Sequence, residues 1–183
     1  MSSEKDKMLK GLFYNAKDEQ LVRERDRARR LLYEFNHLSP DEKEKQQEII
    51  RKLIKAKGSF HIEAPFYCDY GYNIEVGENF FASFGCVILD VNKVTIGDNV
   101  LLGPYVQIYT ASHPTDPIKR LSGEEFGKPV VIGNNVWIGG GAIICPGVKI
   151  GNNVTIGAGS VVTKSLPDNI VAVGNPCRII KRV

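Results

Sequence analysis

The chain of 183 residues has no run of eighteen or more apolar residues, and its start, MSSEKDKMLK, lacks the apolar stretch of a secretory signal. Both absences argue against membrane insertion and export and leave the cytosol as the expected compartment. Of its four cysteines, Cys68, Cys86, Cys145 and Cys177, none forms a Cys-x-x-Cys pair or has a neighbouring histidine. That excludes a recognisable zinc ribbon or disulfide framework. Only three histidines are present, His37, His61 and His113, too scattered for metal-ligand spacing, so no metal is expected. Net charge is only +3, and the basic excess lies N-terminally, in residues 1–57. There the run RERDRARR alternates signs with no aromatic residue interleaved, the pattern of a solvated helix face rather than of a nucleic-acid surface.

What the chain does contain is a period of six. Ile132, Ile138, Ile144, Ile150, Ile156 and Val162 fall at every sixth position, Val136, Ala142, Val148, Val154 and Ser160 recur four residues after each aliphatic residue, and Gly133, Gly139, Gly151 and Gly157 follow directly behind it. Neither the 3.6-residue period of a helix nor the two-residue period of a strand accounts for this spacing. Stacked hexapeptides do: short strands each turn one aliphatic side chain inward, three units close a coil, and the coils bury a continuous column. Glycine at the corners is expected to supply unusual dihedrals and close backbone approach.

Upstream, residues 1–57 read as a helical leader and residues 58–183 as the β-helix, with Gly58 at the joint. Helices are expected over about 4–14, over 18–36 behind an Asp18 cap, and from a Ser39-Pro40-Asp41-Glu42 capping box to about Ala56. The frame begins with Ile62, Cys68, Ile74, Phe80 and Cys86, slips by four residues near Asp90-Val91-Asn92, and resumes at Ile96, Leu102 and Ile108. Between Ile108 and Ile132, residues 109–131 break the repeat with three prolines and several charges, so an extended loop is expected there. His113 lies just after a strand at the start of that loop, where an imidazole could take a proton from a hydroxyl. His37 is expected to serve a helix end and His61 to lie on the surface.

The stretches Tyr109-Thr-Ala-Ser-His113-Pro114, Ile132-Gly-Asn-Asn-Val-Trp137-Ile-Gly-Gly, Gly157-Ala-Gly-Ser-Val-Val-Thr-Lys164 and Gly174-Asn-Pro-Cys-Arg178, with Tyr33-Glu34-Phe35-Asn36 in the leader, resemble the maltose and galactoside O-acetyltransferases. The resemblance implies a left-handed parallel β-helix, a homotrimer with active sites between subunits, and direct acetyl transfer from acetyl-CoA to a sugar hydroxyl. By the same resemblance His113 is the catalytic base. Gly140, Ala158, Thr163, Lys164, Arg178 and Lys181 match cofactor positions, and Asn15, Arg25, Asp69 and Ser83 match acceptor positions. The chain departs from the family at Ser83, where an asparagine that helps stabilise the transition state is common. It departs again at Asn15, a carboxylate in some relatives, and at Val91, an aspartate in some galactoside enzymes. Two other readings remain open at this point: a γ-carbonic-anhydrase-like metal hydrolase, and a non-enzymatic scaffold that lost function at Ser83.

Overall fold

The computed structural model describes residues 2–183. Its body is a left-handed parallel β-helix with three faces. Face one stacks Phe60–Ile62, Phe80–Ala82, Leu101–Leu102, Trp137–Ile138, Val154–Ile156 and Ile170–Val173 in parallel, and Arg178–Arg182 closes it antiparallel. Face two stacks Tyr67–Cys68, Val87–Leu89, Gln107–Tyr109, Ile143–Ile144 and Val161–Val162. Face three stacks Lys55–Ala56, Ile74–Val76, Val94–Ile96, Val130–Ile132 and Lys149–Ile150.

All six period-six aliphatic residues are buried, as are the five small or branched residues that precede them by two positions. Each fully buried branched side chain removes enough apolar area from water to stabilise the fold by roughly 1.5–3 kcal/mol, less its ordering cost. Of the two causes expected for the glycines behind the aliphatic residues, close backbone approach holds and unusual dihedrals do not. Gly133, Gly139, Gly151 and Gly157 do not have positive φ; a Cβ at Gly139 would stand 2.5 Å from the Ala158 nitrogen, so close stacking of backbone selects glycine there. The unusual dihedrals fall two residues later. At the corner between faces three and one, Asn79, Asn99, Asn135, Asn153 and Asn169 take the left-handed conformation, with φ from 55° to 59°. Their amides form a ladder, each Nδ2 donating to the next Oδ1 at 2.8–3.1 Å.

The early frame also differs. Ile88, not Cys86, stacks on Cys68 and Ile108, and Val76, not Ile74, lines up with Ile96 and Ile132. The first coils therefore carry two extra residues at the corner between faces two and three, where Asp90-Val91-Asn92 sits. Cys68 and Cys86 are buried fillers but do not stack on each other.

The leader folds as α1 (Glu4–Leu9), α2 (Glu19–His37) and α3 (Lys43–Leu53). Asp18 caps α2 as expected, accepting from the Gln20 and Leu21 amides. The Ser39 cap does not hold. Ser39 and Glu42 instead close a turn through reciprocal bonds, and α3 starts at Lys43 and ends at Leu53, freeing Lys55–Ala56 to begin face three. Polar contacts moor the leader to the first coils: Lys5 and the Tyr72 hydroxyl both donate to Glu24, and Asn36 exchanges two bonds with the Phe66 backbone.

Candidate active site

The interval between Ile108 and Ile132 contains more order than a loop. Ala111–Ser112 pairs antiparallel with Glu124–Gly127, and the latter strand pairs on its other side with Tyr14–Asn15 from the leader. Between the arms lies the short helix α4 (Pro117–Arg120), capped by Asp116. Buried Thr110 accepts from the Asn92 amide at 2.9 Å and donates to the Leu89 carbonyl at 2.7 Å, while Asn92 Nδ2 donates to Met8 at 3.0 Å. Leader, coil corner and hairpin are thereby pinned together.

His113 follows the Ala111–Ser112 strand with its side chain 57% exposed, and its Nε2 lies 3.8 Å from Oε2 of the more buried Glu125. That separation suits an ion pair once the imidazole is charged and exceeds a hydrogen bond. Around it stand other groups on the same corner. Arg25 donates to the Tyr70 hydroxyl at 2.7 Å and to the Ala16 carbonyl at 2.6 Å, which fixes its guanidinium. Burial pushes the Asp69 carboxyl up from its ordinary value and the Glu125 charge adds to this, against the pull of Arg25 and Arg29. Asn15 is oriented by Glu4, which accepts its amide at 2.6 Å, and by its own Oδ1 accepting from Lys17. The corner thus offers a base, two carboxylates, a guanidinium and an amide, groups suited to hydroxyl-rich ligands.

Not every expected residue gathers here. Ser83, Gly140 and Ala158 lie on the corner between faces one and two, a different edge of the prism from His113. On that edge Gly141 donates to Pro104 at 2.8 Å and Gly159 to Gly140 at 2.9 Å, while among the described residues the Gly140 and Ala158 N–H groups donate to no backbone carbonyl. Arg178 follows the same edge past Gly174, and Lys181 stands opposite Val171 on the exposed closing strand. Thr163 and Lys164 are exposed and follow Val161–Val162, on the His113 edge. One chain therefore carries two half-sets of candidate groups on two edges.

Tyr14, Tyr70 and Glu125 carry no signal in the sequence, and Asp90 enters only as the place where the frame slips. Glu125 gives none because its strand is short and its partner Tyr14 lies over a hundred residues away. Among the described residues no three His, Cys, Asp or Glu side chains come together to hold a metal.

A prism of hexapeptide coils carrying a half-exposed histidine on an ejected hairpin defines a hexapeptide-repeat transferase. The bacterial transferase hexapeptide (six repeats) family matches residues 129–164, and the maltose acetyltransferase hexapeptide capping motif matches residues 7–58. The maltose O-acetyltransferase of Clostridium difficile 630 is 58% identical, with a TM-score of 0.98 over 99% of this chain and 97% of that one. A galactoside acetyltransferase solved in complex with coenzyme A is 44% identical, with a TM-score of 0.94 over 97% and 89%. Nodulation protein L of Rhizobium meliloti is 49% identical over 97% of both chains. The chain belongs to the maltose and galactoside O-acetyltransferase family and is an acetyltransferase.

Proposed function

We propose that this protein transfers the acetyl group of acetyl-CoA directly to a hydroxyl of a maltose-, glucose- or galactoside-type sugar, with His113 as general base. The observation that carries the reading is the placement of His113, half-exposed beside Glu125 and on the corner that also holds Asn15, Arg25 and Asp69. A carboxylate facing Nε2 favours the proton on that nitrogen and leaves Nδ1 to accept. The base takes the proton of the sugar hydroxyl as its oxygen attacks the thioester carbonyl. The tetrahedral adduct then collapses, the C–S bond breaks, and the imidazolium returns the proton to the coenzyme A thiolate.

In this reading the acetyl-CoA arm lies along the edge of Gly140 and Ala158, where the unengaged amides can donate to it. Thr163, Lys164, Arg178 and Lys181 serve the nucleotide end, where cations meet phosphates. Ser83 donates to the developing oxyanion in place of an asparagine; its shorter side chain calls for a bridging water. Because the two half-sets stand on different edges, a homotrimer with its sites between subunits completes them, and exposed Leu101 and Trp137 on face one offer apolar surface for the contact.

A panel of acceptor sugars with acetyl-CoA and thiol detection tests the reading. Sugar-dependent thiol release is expected, and His113→Ala should lower kcat by roughly 10²–10⁴-fold without unfolding the protein. No release with any sugar, or an H113A rate within about threefold of the parent, would overturn it.

A further inference from the structure

The Tyr14 hydroxyl is the only buried side-chain polar atom without a hydrogen-bond partner among the described residues. Such a group destabilises a fold unless something uses it. Its ring is fully buried against Met8, Leu21, Tyr70 and Val91, so it cannot turn to water. In the backbone register Tyr14 stands directly opposite Glu125, and residues directly opposite in an antiparallel pair project to the same side of the sheet. Glu125 is the carboxylate that faces His113.

Resting on the reading of His113 as the base, we propose that Tyr14 is a positioning residue: its buried O–H, without a partner in the free protein, donates to the Glu125 carboxylate as that carboxylate closes on the charged His113 imidazole. The phenol is suited to this because it stays protonated. Burial and the facing Glu125 and Asp69 carboxylates all oppose its ionisation, so it can only donate toward them. The Glu125–His113 gap of 3.8 Å leaves the carboxylate free to close on the imidazole as it charges, and the O–H behind it fixes where it closes from. The leader is then part of the catalytic apparatus, acting through Tyr14, as well as a cap on the first coils.

Tyr14→Phe keeps the ring and removes only the unpartnered hydroxyl. Its Tm should therefore equal or exceed that of the parent, while kcat falls roughly fivefold or more and KM for acetyl-CoA stays within about twofold. Glu125→Gln should abolish the effect, so that adding Y14F to E125Q costs less than about twofold. A proton NMR titration of the histidines supplies a readout independent of turnover: the His113 midpoint should move in Y14F while His37 and His61 keep theirs. A Y14F kcat within about twofold of the parent, an equal loss in the E125Q background, or an unmoved His113 midpoint would each overturn the proposal. Failure of the parent itself to acetylate any sugar would instead defeat the reading of function, and the titration would still decide whether Tyr14 is coupled to His113.

Discussion

Asp90→Asn should remove about 2–4 kcal/mol from the change in stability between about pH 4 and pH 7. Asp90 is fully buried at the corner between faces two and three. Its Oδ1 accepts the Asp69 amide at 3.0 Å and the Tyr70 amide at 2.9 Å, its Oδ2 accepts the Asn73 amide at 3.3 Å, and its carbonyl accepts from Asn73 Nδ2 at 2.8 Å. Burial outweighs these amides and pushes the carboxyl from 3.8 up to about 7, with the Asp69 charge adding to the rise. A carboxyl that is less acidic folded than unfolded makes the native state bind its proton more tightly. Its stabilising contribution is therefore complete below about pH 4 and is lost as the pH rises through about 7. At 1.36 kcal/mol per unit, a rise of about three units corresponds to ~4 kcal/mol, an upper value because local relaxation softens it. The asparagine keeps an oxygen for the Asp69 and Tyr70 amides and never ionises, at the cost of a donor facing the Asn73 amide, about 1–3 kcal/mol at every pH. Urea unfolding of parent and D90N at about pH 4.5, 5.5, 6.5 and 7.5, at fixed salt and subunit concentration, measures the difference. That difference should shift by about 2–4 kcal/mol in favour of D90N from the lowest to the highest pH. A difference constant within about 0.5 kcal/mol would show that Asp90 does not titrate with folding.

Backbone substitutions separate close stacking from dihedral strain. Gly139→Ala places a Cβ 2.5 Å from the Ala158 nitrogen and 2.9 Å from the Ile156 oxygen, backbone atoms that cannot yield. It should cost about 1–3 kcal/mol in urea unfolding and weaken acetyl-CoA binding in calorimetric titration. Gly141→Ala meets nothing within 4 Å and carries only the strain of φ +68°, about 1–2 kcal/mol. Asn135→Ala removes two rungs of the amide ladder at φ 56° and should lower Tm by several degrees, whereas Asn135→Gly should recover the dihedral part of that loss.

The repeat was legible because six aliphatic residues in phase admit one kind of stacking, and because every interruption of the phase marks a corner or an ejected segment. Its limits were equally physical. Cys86 and Ile74 keep the six-residue spacing in the early coils, yet the extra corner residues move Ile88 and Val76 into the column; spacing alone cannot tell an insertion at a corner from a slip in a strand. Ser39-Pro40-Asp41-Glu42 has the composition of a helix cap, but its bonds close a turn ahead of α3, since the same side chains satisfy the same amides in either setting. At the site, His113 was legible from its place on the broken repeat. The three-stranded sheet that frames it was not, because Tyr14–Asn15 is two residues long and pairs with a strand more than a hundred positions away.

The central claim is that His113 on one edge works with the Gly140 and Ala158 edge of another subunit. Co-expression of His113→Ala with Ala158→Trp tests it most directly, each variant being inactive alone. If sites form between subunits of a randomly mixed trimer, three quarters of the assemblies contain both chains and each regains one intact site in three, so about a quarter of parental activity returns. If both groups act within one chain, every site carries a lesion and mixing restores nothing.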